Sequence, residues 1–163
     1  MKTIQAPYYS QLDSPIGQLL LIGDDASLRC LYMVDHKHQL PMADGSERND
    51  MAFRGVREQL EAYFAGKLRR FEVALAGEGS AFQKQVWHAL LEIPFGQTES
   101  YGQLARRIGN DKASRAVGLA NGRNPISIIV PCHRVIGANG SLTGYGGGVE
   151  RKKWLLEHEK RWV

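Results

Sequence analysis

No apolar run in this chain of 163 residues approaches the roughly 20 that cross a bilayer. The opening residues, Met1 to Pro7, hold no long apolar stretch of the secretory kind. Cysteine is scarce, with only Cys30 and Cys132, far apart. A disulfide framework is therefore not expected, and both thiols read as reduced groups of a cytoplasmic protein. Metal-ligand spacing is missing as well. Cys30, His36 and His38 fit no standard zinc site and no second cysteine is near, so they read as a strand thiol and two solvated loop histidines, and no metal is expected. What is present is ordinary for a globular chain: 43% hydrophobic and 23% charged residues, enough for one large domain or two small ones.

Charge divides the chain. Residues 1–79 carry a net −2 and residues 80–163 a net +6. A basic half points to a polyanionic partner such as nucleic acid, or serves solubility alone. The acidic half holds little chemistry. Short strands are expected at Tyr8–Leu12, Leu19–Gly23 and Arg29–Val34, with a Ser14-Pro15-Ile16-Gly17 turn between the first two. Residues 36–50, with Pro41 and Gly45, read as a mobile loop. Asn49 or Asp50 can cap a helix from Met51 to Ala65, whose apolar residues recur at three- and four-residue steps before Gly66 stops it. Leu75–Gly79 is a natural linker, which divides the chain into domains 1–79 and 80–163.

Helix signals dominate the basic half. Ser80 with Gln83 and Ser100 with Gln103 are capping-box pairs, the second opening a helix over Tyr101–Ile108. After Gly109 and Asn110, Asp111 can cap a further helix from Lys112 to Ala120, which makes a helix-turn-helix candidate. That last helix is rich in small residues (Ala113, Ser114, Ala116, Gly118, Ala120), and small side chains let a backbone approach a partner closely. Arg115 stands among them as one long cation, either solvated or reaching into a groove to replace a displaced base.

Ile128-Ile129-Val130 reads as a buried strand that Pro131 ends, which presents Cys132 beside His133. A thiol next to an imidazole is either an inert core cysteine or a nucleophile drawn toward the thiolate. In the final helix, Val149 to Trp162, Leu155, Leu156 and Trp162 mark an apolar face and Glu159 projects into it. Buried there, Glu159 needs a partner: an arginine, local backbone, or His133, and the last would make a Cys-His-Glu relay.

Four segments carry a resemblance: Arg115-Ala116-Val117-Gly118, Asn121 through Ile126, Val130-Pro131-Cys132-His133-Arg134-Val135 and Gly144-Tyr145-Gly146-Gly147-Gly148. In order and spacing they resemble the O6-alkylguanine-DNA alkyltransferases, with the likeness running through Trp154 to Glu159 and only loosely over residues 1–79. The resemblance implies an RNase H-like α/β domain with a short antiparallel sheet and a helix, then a mainly helical, winged-helix-like domain with a helix-turn-helix. It implies a monomer, capable of cooperative binding, that repairs O6-alkylguanine in double-stranded DNA without a cofactor. Cys132 would accept the alkyl group irreversibly, once per molecule, with His133 as its base through a water and Glu159 holding the imidazole. Asn124 would buttress the helix-turn-helix against the active-site strand, and Tyr101 would donate to guanine N3. The Cys132 and Val135 carbonyls would receive the guanine amino group, while Tyr145, Gly146 and Gly147 wall the pocket. Ala113, Ser114 and Ala116 would meet the minor groove, Arg115 would fill the space of the flipped nucleotide, and Arg106, Arg107, Lys112 and Arg123 would contact phosphates. Some relatives carry serine where this chain has Gly146, so a more open pocket wall is expected. The alternatives are a non-catalytic lesion sensor and a Cys-His-Glu hydrolase.

Overall fold

In a computed structural model, which describes residues 3–37 and 39–163, the first half of the chain is a four-stranded mixed sheet with one helix. Strands β1 (Tyr8–Leu12), β2 (Leu19–Gly23) and β3 (Leu28–Met33) form an antiparallel meander, joined first by the Ser14–Gly17 turn. The predicted loop after β3 is partly ordered. Glu47–Arg48 adds a short β4 parallel to β1, which is why the order is β3-β2-β1-β4. Two polar exposed residues carry no alternation, so sequence pattern does not reveal this strand. Asn49 caps the next segment as expected, its side chain accepting from Ala52 N at 3.1 Å. The first turn is 3-10, however, and the α-helix proper, α1, spans Arg54–Phe64. Gly66, at φ +76°, ends it in the left-handed conformation that L side chains rarely adopt.

The second half holds α2 (Ala81–Leu90), the paired strands β5 (Glu99–Ser100) and β6 (Val135–Ile136), α3 (Tyr101–Arg107), α4 (Ser114–Gly122) and α5 (Val149–Trp162). Both capping boxes form, at Ser80/Gln83 and Ser100/Gln103. Asp111 does not cap α4. Gly109 terminates α3 at φ +85°, and a further turn closed by Ala113 N to Asn110 O intervenes, so α4 starts two residues late and runs on to Gly122. A second expectation fails at the residues before the cysteine. Ile128–Val130 is buried but forms a turn, with Ile128 at φ +71° and Val130 N donating to Ile126 O at 3.1 Å. Only Ile126 meets a strand, bridging Leu31 of β3. The amide of Asn124 competes for this backbone: Nδ2 donates to Val130 O at 2.8 Å and Oδ1 accepts from Ile126 N at 3.0 Å, which folds the segment back on itself.

One hydrophobic core runs through both halves, from Leu21, Leu31 and Leu60 to Val86, Leu90, Val130 and Leu155. The outer edge of β3 is covered from both sides: Leu28 pairs with the chain around Leu75, and Leu31 takes a hydrogen bond from Ser127 and gives one to Pro125. No unpaired strand edge is left there to recruit another chain. On the far side Arg151 of α5 donates to Ile16 O, Val34 O and Gly147 O, tying helix, sheet and the glycine loop together.

Two glycines of this region should respond oppositely to alanine. Gly66→Ala forces a left-handed residue and brings its methyl against the Trp162 ring, so urea denaturation should show a loss of about 1–2 kcal/mol. Gly55→Ala in α1, with open space around the new methyl, should raise stability by about 0.5–1 kcal/mol.

Candidate active site

Cys132, His133 and Arg134 form a single 3-10 turn directly after Pro131, and all three are buried. Cys132 is 3% exposed and His133 fully enclosed. Behind them stands α5, whose inward face differs from the expected one. Leu155 is buried, but Leu156 is half-buried and Trp162 is exposed; the face is completed by Lys152, His158 and Glu159. The positions follow helical periodicity, yet polar residues occupy them, each tied to the body of the protein.

Glu159 is the hub. Its Oε2 accepts from His133 Nε2 at 2.7 Å, Tyr63 Oη at 2.6 Å and Arg134 Nη2 at 3.1 Å; its Oε1 accepts from Arg134 Nε at 2.8 Å and Gly96 N at 3.3 Å. Burial pushes this carboxyl up, but the His133 and Arg134 interactions outweigh it and hold Glu159 well below the usual carboxylate range. An ionised carboxylate only accepts, so His133 Nε2 carries the proton and Nδ1 holds the free lone pair. Nδ1 is buried with no protein hydrogen-bond partner among the described residues. Burial holds His133 below its ordinary value, with Glu159 opposing, and the imidazole is therefore a neutral base.

The thiol is held up too. Burial raises Cys132, while Asn124, Lys152 and local backbone N–H groups work the other way. Lys152, a residue the sequence reading passed over, is fully buried and donates to Val135 O at 2.6 Å and Thr143 O at 3.0 Å, with its ammonium 5.9 Å from the Tyr101 ring centroid. Burial brings it down to about 8, with Cys132 opposing. The sequence allows an arginine among the partners of Glu159 without saying which; Tyr63 and the backbone N–H of the distant Gly96 are not foreseen. A Pro-Cys-His-Arg run does show Arg134, but nothing local says that its guanidinium turns inward to Glu159, to Ile93 O at 2.7 Å and over the Phe95 ring.

The other candidates distribute as follows. Asn124 folds the turn before Pro131 through Ile126 and Val130, where the expectation has it brace the helix-turn-helix against a strand, and it works to lower Cys132. Tyr101 donates to Thr143 O at 2.8 Å. Cys132 O already accepts from Asn121 Nδ2 at 3.2 Å, and Val135 O from Lys152. Tyr145 is buried, its hydroxyl 3.9 Å from Met33 Sδ. A cleft of about 310 Å³ lies between α4 and the glycine loop, lined among others by Gly118, Gly122, Arg123, Tyr145 and Gly146. Gly146 does not open the wall: a Cβ there would lie 2.5 Å from His36 Nε2, so His36 fills that space and is buried, contrary to a solvated loop histidine. His38 lies outside the described residues, and among those described no cluster suits a metal. On α4, Arg115 and Ala116 are exposed and Ser114 half-buried, but Ala113 is 7% exposed in the core and cannot meet a groove. Arg106, Lys112 and Arg123 are exposed. Arg107 is not available for phosphate, because it bonds Glu92 at 2.8 Å, Glu99 at 3.1 Å and Ala89 O at 2.8 Å.

A neutral imidazole with a free lone pair on the residue that follows a protonated thiol suits nucleophilic chemistry at sulfur. Comparison with known proteins narrows the class to group transfer. Residues 7–76 match the family model of the 6-O-methylguanine DNA methyltransferase, ribonuclease-like domain, and residues 81–161 that of the DNA binding domain. The chain is 56% identical over 152 residues to the methylated-DNA–protein-cysteine methyltransferase of Methanosarcina acetivorans, covering 93% of this chain and 97% of the relative. It is 56% identical over 153 residues to that of Mycolicibacterium paratuberculosis, covering 94% and 92%. The structure of Mycobacterium tuberculosis OGT in complex with DNA superposes with a TM-score of 0.91 at 53% identity, covering 96% of this chain and 94% of that one. The chain belongs to the 6-O-methylguanine DNA methyltransferase family, and it is a transferase of DNA repair that works by alkyl transfer.

Glu159→Gln should leave Arg134 buried without its counter-charge and cost about 3–5 kcal/mol at neutral pH. The sign with pH is set by the lowered carboxyl. Its stabilisation is complete above the ordinary value of 4.5 and is lost as pH falls through the depressed folded value. Chemical denaturation at several pH values should therefore show a steep acid loss in the parent that the Gln variant lacks.

Proposed function

We propose that Cys132 is the acceptor in a single-turnover transfer of the alkyl group from O6-alkylguanine in duplex DNA, acting in the cytoplasm. The observation that carries this reading is the buried His133 with Nε2 committed to Glu159 and Nδ1 left as a lone pair. A buried nitrogen of that kind is satisfied by an ordered water, which would pass the thiol proton to His133. The thiolate then attacks the alkyl carbon: the S–C bond forms, the C–O6 bond breaks, and its electron pair stays on the guanine. The products are a Cys132 thioether and a guanine anion; Glu159 stabilises the imidazolium until its proton is given back, and uptake of a proton at N1 completes the unmodified guanine. No group in this site hydrolyses a thioether, so each molecule acts once. The step as written needs no cofactor.

The duplex-bound base must leave its stack to reach a thiol this deeply placed. α4 would enter the minor groove, with Ser114 and Ala116 allowing close approach and Arg115 taking the vacated position. An alanine methyl at Gly118 would meet the Tyr101 ring at an ordinary 3.7 Å, so internal packing alone does not demand glycine there, and close approach of DNA would account for it. Tyr101 would exchange Thr143 O for guanine N3, and the second lone pair of the Val135 carbonyl would receive the amino group; Cys132 O, which accepts from Asn121 Nδ2 and Val135 N, would exchange one of these donors for it. Tyr145, Gly146 and Gly147 would form the wall, with backbone N–H groups turned to O6.

Incubation with a duplex carrying one O6-methylguanine should add a single methyl to the Cys132 peptide by mass spectrometry, saturating at one per molecule and absent in Cys132→Ser. Tight lesion binding without modification would instead indicate a sensor, and repeated turnover a hydrolase. His133→Gln should slow single-turnover transfer about 10²-fold or more. For binding, Arg123→Ala and Lys112→Ala should each lower the slope of log affinity against log salt by about 1, whereas Arg107→Ala should leave the slope unchanged and lower stability.

A further inference from the structure

The acidic half of the chain looked empty of chemistry, yet its helix α1 reaches the relay. The Tyr63 side chain is fully buried, and its hydroxyl donates to Glu159 Oε2, the same oxygen that accepts from His133 Nε2. Building on the alkyl-transfer reading of Cys132, we propose that Tyr63 is a positioning residue for that reaction: its hydroxyl fixes Oε2 against His133 and sets how strongly the imidazole holds an incoming proton.

The hydroxyl is not there for packing. The Tyr63 ring sits among Phe64, Phe71, Phe95 and His158, with centroids 5.1–6.0 Å away, where phenylalanine would fill the same space. Burying a hydroxyl in such surroundings costs free energy unless it finds a partner, and the partner chosen is the relay carboxylate. The residue is clamped to α5 at its other end as well, since Tyr63 O accepts from His158 Nε2 at 2.7 Å. Burial and the neighbouring Glu159 charge keep the phenol well above its ordinary value of 10, so it donates at every working pH and is never itself an acid in the reaction.

The direction of its influence follows from the donors around Glu159. Facing His133 are Glu159 and Lys152 from α5 and Arg134 on its own turn; Tyr63 from α1 and Gly96 N reach it through Glu159, and Tyr145 of the glycine loop is coupled to both Glu159 and Cys132. Each extra donor draws electron density from the carboxylate and weakens its hold on the His133 proton. Removing the Tyr63 hydroxyl leaves Oε2 with one donor fewer. The His133–Glu159 bond then strengthens, the imidazole holds a proton to higher pH, and the neutral base is available only at correspondingly higher pH.

The test is Tyr63→Phe, read in two ways. In the DNA-free protein the His133 Nε2–H proton resonance, assigned by its loss in His133→Gln, should move downfield; this readout does not depend on alkyl transfer and stands even if that reading fails. In single-turnover transfer the acidic limb of the pH–rate profile should move up by about half to one pH unit, a three- to tenfold loss below the limb that recovers above it. Phe71→Leu, which loosens the same aromatic cluster without touching the carboxylate, should lower stability and leave both readouts in place. If Tyr63→Phe folds poorly, fluorotyrosine at position 63, a stronger donor of nearly the same shape, should shift both readouts the opposite way. Unchanged resonance and limb in the phenylalanine or fluorotyrosine protein would overturn the proposal.

Discussion

Everything around Cys132 depends on one buried carboxylate. Glu159 is 1% exposed and accepts hydrogen bonds from α1, from the loop after α2, and from both residues that follow Cys132. An unpaired carboxylate at that depth would take up a proton rather than stay charged. Arg134 prevents this with two charge-assisted contacts, which frees His133 to remain neutral and directional. The division of labour is electrostatic. Arginine balances the charge permanently, and histidine, whose proton affinity is adjustable, is left to move a proton. Were His133 the only cationic partner, it would be locked as an imidazolium and could not act as a base.

The thiol is kept in reserve by the same environment. Burial raises Cys132, so it rests protonated behind Asn124 and the Ile128–Val130 turn, a poor target for adventitious oxidants that react with exposed thiolates. Lys152 sits on the other side of the balance. Its ammonium lies under Val135 and Thr143 and is electrostatically coupled to Cys132, so a thiolate formed there meets a cation already in place. If Cys132 reacts once per molecule, as proposed, a nucleophile that is silent until its base acts wastes fewer molecules than one poised as thiolate.

What the sequence revealed and what it hid divides along the same line. Capping boxes, the Gly66 stop and the helical spacing of Glu159 are local signals, written within a turn or two of the residues they govern, and they appear in the structure where expected. The failures are tertiary. Ile128–Val130 has the composition of a strand, but pairing with β3 ends at Ile126 and Ser127 and the Asn124 amide folds the following residues into a turn. Asp111 is a good cap residue left outside a helix, because the turn after Gly109 consumes two more residues. Lys152 has no role in the sequence reading and Arg134 only a place in the Pro-Cys-His-Arg run, since burial of a charge is visible only once its acceptors, here carbonyls and a carboxylate from distant segments, are in place. Arg107 reads as a phosphate ligand for the mirror-image reason: its acidic partners, Glu92 and Glu99, lie outside its own helix.

The first half of the chain is therefore more than a support. It supplies the Tyr63 hydroxyl behind His133 and, at the opposite side of the site, the surface on which the glycine loop rests. Lys37 N donates to Gly146 O, the His36 ring occupies the space of a side chain at 146, and Met33 Sδ does the same at 147. A serine at 146 would place its Cβ 2.5 Å from an imidazole nitrogen held between the Tyr32 ring and the loop, so it cannot enter unless the His36 ring moves. The glycines here are set by what lies behind the wall, not by the space in front of it. Pocket shape is thus a joint property of both halves, and a substitution that widens acceptance of larger alkyl groups has to be compensated across the sheet–loop contact, at His36 or Met33, as much as within the loop itself.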